Sequence, residues 1–197
     1  MNHLSKQDFE KQSLVELVIL PRMDYLPYIS EIINSFNHLI VLDTQGVLNK
    51  SFGSYSWIDK EQMDIDLSTN NNRPQARINY SFIYSTNDLF NKLELLNNYK
   101  NFCLLIDSVT FISDKAPNSI KSLSKAIWKI IYESNSMVIV INHYRIGKEK
   151  RTYKLIPRMG TFWEESISYR VKFCYKSGNI DYKIIKNELI DSDECYF

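Results

Sequence analysis

Short apolar runs rich in branched side chains alternate along this chain with segments whose apolar residues recur at helical spacing. That alternation constrains the fold more than any other feature. Residues 14–20 (LVELVIL), 38–43 (HLIVLD), 102–109 (FCLLIDSV) and 137–142 (MVIVIN) are too short for helices and too uniformly apolar for half-exposed strands. Residues 77–84 are predicted as a further strand. Between these runs, Leu26, Ile29, Ile33 and Phe36 follow Asp24, read as an N-cap, with Pro27 in the first turn. A second helix is predicted over 86–99, capped by Thr86 or Asn87, and a third over 118–134, where Ile120, Leu123, Ile127, Ile130 and Ile131 share one face. After a polar loop reaching Arg158, strands over 167–175 and 179–186 meet at Lys176-Ser177-Gly178, a hairpin signal. Strand–helix alternation closing on an antiparallel pair implies an α/β fold, mainly parallel, with helices on both faces of the sheet. Ligands of such sheets bind beyond the carboxyl ends of the strands, near Pro21, Asp43, Asp107 and Asn142.

Composition narrows the function classes. At 197 residues, with 44% hydrophobic and 24% charged residues, the chain can build one ordinary core, expected over 14–188 with tails at 1–13 and 189–197. No run approaches the ~20 apolar residues of a membrane span, so no membrane partner is expected. Cys103, Cys174 and Cys195 are odd in number and dispersed, which reads as reduced thiols inside a cell and gives no metal-ligating set. The five glycines, at 46, 53, 147, 160 and 178, nowhere form a glycine-rich phosphate loop.

The strand ends carry a family pattern. LIVLDTQG (39–46), LLIDSV (104–109), VIVINH (138–143) and MGTFWEESISYRV (159–171) resemble, in order and spacing, the core of the RecA-type recombinases, over residues 14–188. The resemblance implies a RecA-like, P-loop-type core: a mainly parallel twisted sheet flanked by helices, with a C-terminal antiparallel hairpin. It puts Asp107 in the place of the Walker B carboxylate that holds the magnesium of ATP through water. Read from the residues alone, Asp107 is equally a polar end to a buried strand.

Against that family the chain departs at three places. The connection LPRMDY (20–25), where the family has G-x-x-x-x-G-K-[ST], contains no glycine, lysine, serine or threonine. Asp43-Thr44-Gln45-Gly46 replaces the family's Asp-Thr-Glu-Gly, and the Gln45 amide cannot accept a proton at neutral pH as the water-activating glutamate does. His143 stands where the family senses the terminal phosphate with glutamine. Asp43, Gln45, Asp107 and His143 thus read as a vestigial nucleotide site, with no catalytic residue, metal or cofactor expected.

The DNA-facing segments remain. Two loops of the family line the filament axis. The first equivalent, 111–118, offers Lys115 beside Asp114. The second, 142–158, holds Arg145, Lys148, Lys150, Arg151, Lys154 and Arg158 against Glu149 alone, leaving it +5 and the remaining chain −4 of a total of +1. Tyr144 and Tyr153 interleave stacking faces with these cations, the combination that binds single strands with little sequence preference. Phe52, Tyr55, Trp57, Tyr80, Phe82 and Tyr84 are divided between core and partner surface, while Phe162 and Trp163 are expected in the core.

The pattern as a whole is similar to the subunits of Shu-type complexes, recombinase paralogues that support filament assembly in homologous recombination and DNA repair. It implies a nuclear, non-catalytic protein that pairs with another recombinase paralogue as a heterodimer or larger complex. Its further partners would be a RecA-type recombinase filament and single-stranded or forked DNA. Two other readings stay open: a divergent ATPase using Arg22 and Asp107, and a scaffold that never touches nucleic acid.

Overall fold

The computed structural model describes residues 4–20, 22–46, 48, 77–149, 152–176 and 178–186. Its strands are β1 (Leu14–Ile19), β2 (His38–Asp43), β3 (Arg77–Phe82), β4 (Cys103–Asp107), β5 (Met137–Glu149), β6 (Thr152–Pro157), β7 (Tyr169–Lys176) and β8 (Asn179–Lys186). The helices are α1 (Leu26–Asn34), α2 (Thr86–Leu95), α3 (Thr110–Lys115), α4 (Ile120–Ser134) and α5 (Thr161–Ser166). The sheet order is β3-β2-β4-β5-β1-β7-β8. All neighbours pair in parallel except β7 and β8, the antiparallel hairpin at one edge.

Burial on both faces explains the unbroken apolar runs. Every residue of β1 and β4 is buried, as strands sandwiched between helical layers must be. Val15, Leu17 and Ile19 pack with Ile29, Ile32 and Ile33 of α1. Leu14, Ile40, Leu42, Leu104, Ile106, Val138 and Val140 face α2, α4 and α5 on the other side. Leu4 and Phe9 are buried in the first of these cores, and Phe9 meets Tyr169 edge-on at 5.2 Å, so the segment before β1, expected as a tail, packs on the domain. The tail expected at 189–197, with Cys195, lies outside the described residues, as do Phe52, Tyr55 and Trp57.

Local boundaries differ from the sequence expectations where side-chain chemistry decides them. The cap of α2 is Ser85, whose Oγ accepts from Asp88 N at 3.1 Å while Asp88 Oδ2 accepts from Tyr84 N at 3.1 Å, a reciprocal box. At α1 the capping position is Tyr25, and Asp24 Oδ1 accepts from Leu26 N at 3.3 Å. Residues 111–118, expected as a loop, form α3 and the start of a 3-10 turn over Pro117–Ser119. The larger correction concerns 142–158. It is a β-hairpin: β5 runs on to Glu149 and pairs antiparallel with β6, placing Tyr144 opposite Pro157 and Ile146 opposite Leu155. Apolar residues at every second position supply the strand period beneath the charges. Gly147 allows the close fit, since a Cβ there would lie 2.6 Å from Ile156 Cδ1.

Several polar groups are buried inside the sheet, and Glu16 gathers three side chains around it. Glu16 of β1 is fully buried; its Oε1 accepts from Asn142 Nδ2 at 2.7 Å and Trp163 Nε1 at 2.8 Å, and its Oε2 pairs with Arg170 Nε. Arg170 also reaches Glu164 at 2.8 Å, so β1, β5, β7 and α5 are joined by one charged cluster. Trp163 is buried as expected, whereas Phe162, also expected in the core, is 45% exposed because α5 turns that side chain outward. Arg170→Ala would strand the Glu16 carboxylate, an expected loss of about 3–5 kcal/mol in urea denaturation. Glu16→Gln combined with Arg170→Met is expected to recover most of it, because the amide keeps an acceptor for Asn142 and Trp163.

Candidate functional site

The carboxyl ends of β1, β2 and β4, with the middle of β5 level with them, bring Asp43, Gln45, Asp107 and His143 together. The route from β1 to α1 is a tight turn in which Met23 N donates to Leu20 O at 3.2 Å and Arg22 adopts φ +61°. Met23 and Tyr25 then turn into the protein and are buried. The Tyr25 hydroxyl donates to Asp107 Oδ2 at 2.7 Å. A phenol thus occupies the position at which the family resemblance calls for a phosphate-binding loop and a metal-linked water. Around that turn Arg22 is exposed, and the Asp107 carboxylate is engaged by the Tyr25 hydroxyl. Among the described residues, no three His, Cys, Asp or Glu side chains cluster to hold a metal ion.

The two aspartates differ sharply. Asp43 is saturated: Oδ1 accepts from Gln45 N at 2.8 Å and Gly46 N at 2.7 Å, and Oδ2 from Leu48 N at 3.0 Å and Tyr80 OH at 2.8 Å. It shapes the turn after β2, where Gly46 at φ +71° leaves room for Phe82, whose ring would stand 3.1 Å from a Cβ. Asp107 has Tyr25 as its side-chain donor among the described residues. Burial pushes its carboxyl up to about 6, the Tyr25 hydrogen bond partly opposes this, and Asp43 adds to it. The same burial, with the two carboxylates, holds the Tyr25 phenol well above its ordinary range.

Gln45 links the ends of three strands. Its Nε2 donates to Ser108 Oγ at 2.8 Å and stands 3.1 Å from His143 Nε2. Burial and the nearby Arg158 lower the His143 pKa, favouring a neutral ring whose Nε2 accepts the amide proton. Ser108 Oγ continues to Thr110 Oγ1 at 2.5 Å, and Thr44 Oγ1 bonds both the Ser108 N–H and its carbonyl. This network bridges strand ends with amide, hydroxyl and imidazole groups.

The β5–β6 hairpin projects beyond the same strand ends. Arg145 is exposed upon it, and Ile146 is 73% exposed. Tyr144, expected as a stacking face, is committed to the domain: its hydroxyl donates to Phe173 O at 3.3 Å and its ring packs on the core. Arg158, expected to contact DNA, pairs with Asp114 of α3 at 2.8 Å and anchors the hairpin base. Lys115 is exposed beside that pair. Lys148 and Lys154 hold register positions in the hairpin, with side chains outside the described residues; Lys150 and Arg151 fall outside them altogether. The Tyr25–Asp107 contact spans 82 residues, so no local spacing in the sequence announces it. Of the aromatic group near β3, Tyr80 serves Asp43, Phe82 is half-buried edge-on to Tyr84 at 4.8 Å, and Tyr84 is 84% exposed.

No protein-family model matches the sequence, and no curated protein matches it. Among solved structures, the chain is similar to one described as the crystal structure of the RadB recombinase, with a TM-score of 0.59 at 16% identity, covering 92% of this chain and 84% of that one. At such identity the likeness speaks for the fold: this is a protein of RecA-like fold, with a mostly parallel sheet between helices and the terminal β7–β8 hairpin. Among the described residues, no helix is long and apolar enough to cross a membrane.

Because the Asp107 carboxyl is raised above its ordinary 3.8 to about 6, the folded chain holds a proton that the unfolded chain releases between those values. Stability therefore falls as pH rises through that window, by roughly 3 kcal/mol in full. Asp107→Asn is expected to raise the urea midpoint relative to wild type at about pH 7.5, the difference closing near pH 4. A parallel pair of pH profiles would contradict the assignment.

Proposed function

We propose that the chain is a non-catalytic recombinase paralogue that binds DNA through the β5–β6 hairpin. In this reading it is one subunit of a Shu-type mediator assembly, paired with another paralogue in the nucleus and supporting a recombinase filament on single-stranded or forked DNA. The observation that carries the reading is the Tyr25 hydroxyl on Asp107, which puts an internal hydrogen bond where a nucleotide-dependent relative needs phosphate and metal. Gln45 supports it as well, being tied to Ser108 and His143 and unable to take a proton from water. Support for DNA comes from the charge of 142–158 and from the antiparallel pairing of β5 with β6, which leaves Arg145 exposed.

Two measurements test this. Calorimetric titration with magnesium-ATP is expected to show no binding, and micromolar affinity would overturn the nucleotide-independent assignment. Replacing Arg145, Lys148, Lys150 and Arg151 together with Ala is expected to weaken single-stranded DNA binding at least tenfold. It should also reduce the slope of log affinity against log salt by about 3, each phosphate contact contributing ~0.7. Unchanged affinity and slope would remove the hairpin from the DNA path.

A further inference from the structure

The exposed side of α4 is built unlike an ordinary solvated helix face. Lys121, Lys125 and Lys129 are exposed and four residues apart, so they form one row about 12 Å long. Aromatic rings accompany them. Tyr132, on the same side, is 66% exposed, and Phe162 of α5 is brought to Lys121, whose Nζ lies 5.9 Å from the ring centroid. Trp128 fixes Tyr132 from behind: their rings stack at 5.2 Å and 26°, and Trp128 Nε1 is anchored on Ser166 O at 2.7 Å. A ring held in this way loses little freedom when a ligand stacks on its outer side. Among the described residues no carboxylate comes within ion-pair distance of the three lysines. Glu164 is bound to Arg170, while Glu133 and Glu165 flank the row.

The row continues from the hairpin. Arg158, at the end of β6, is joined to α3 by its ion pair with Asp114 and by Ser113 Oγ on its carbonyl at 3.5 Å. From α3, which ends in the exposed Lys115, a single 3-10 turn leads into α4. After Arg158 the chain enters α5, which carries Phe162 to Lys121. Among the described residues, Arg158 and Lys115 thus lie on the segments that join the hairpin to α4.

We propose that α4 carries a single strand of nucleic acid onward from the hairpin. Lys121, Lys125 and Lys129 meet successive phosphates, and Phe162 and Tyr132 receive unpaired bases. This rests on the DNA reading of the hairpin. Charge identifies the ligand as polyanionic, and the two exposed rings favour unpaired bases over an acidic peptide or a closed duplex, because every base offers a face for stacking.

The test is anisotropy with the full chain, together with any partner that co-purifies, on oligonucleotides of ~4 and ~16 nucleotides, the limits of a typical site. Lys121→Gln/Lys125→Gln/Lys129→Gln is expected to bind the long strand about tenfold more weakly, with a salt slope smaller by about 2. Its affinity for the short strand should be unchanged, and Tyr132→Ala should behave alike. The hairpin variant should weaken both lengths. A triple variant that binds the long strand like wild type, or loses both lengths equally, overturns the α4 path while hairpin-dependent binding stands. Wild-type protein that binds neither length overturns the hairpin reading and this proposal together.

Discussion

A sheet covered on both faces has no water for the polar groups of its inner strands, so each must find its partner within the protein. Glu16 is the severest case. It lies in the strand between β5 and β7, and its carboxylate is satisfied by Asn142, Trp163 and Arg170, three residues from different parts of the chain. The cluster cannot assemble until β5 and β7 have both paired with β1 and α5 has closed over them. One buried charge thereby fixes how the last third of the chain docks on the first, including the helix that presents Phe162.

The same constraint governs the strand ends, with a different outcome at each aspartate. Asp43 receives four donors and serves as the centre of a turn. Asp107 is offered one phenol, and burial outweighs that bond, leaving its carboxyl at about 6. A group in this condition costs stability at neutral pH. Tyr25 lowers the cost by occupying the space that burial would otherwise leave without a donor, which makes the β1–α1 turn part of the packed interior. Cys103, in the same buried strand, is pushed up to about 12 by desolvation alone, another measure of how dry this layer is.

The hairpin and α4 are the parts that face outward, and their charge is organised by elements that burial has already positioned. Arg158 braces β6 against α3 through Asp114. Tyr144 ties β5 to β7 through its hydroxyl on Phe173 O. Both are residues whose chemistry suits binding and which also hold the hairpin to the domain. On α4, helical periodicity marks the apolar side, and α5 sets the Phe162 ring beside Lys121 on the solvent side.

Much of the fold was legible in the sequence because its signals are local. The runs at 38–43 and 179–186 match β2 and β8 at both ends, and the apolar face at Ile120, Leu123, Ile127, Ile130 and Ile131 marks α4, since strand and helix periods are set by backbone geometry within a few residues. The glycine-free run at 20–25 and the glutamine at 45 were equally plain as residue identities. What the tertiary structure decided were the partnerships: Tyr25 with Asp107, Tyr80 with Asp43, Glu16 with Arg170, and 142–158 as a paired hairpin with Arg158 braced on Asp114. These contacts join segments far apart in the chain. Which donor meets which buried acceptor depends on how strands and helices stack, and that is settled by burial of the whole sheet.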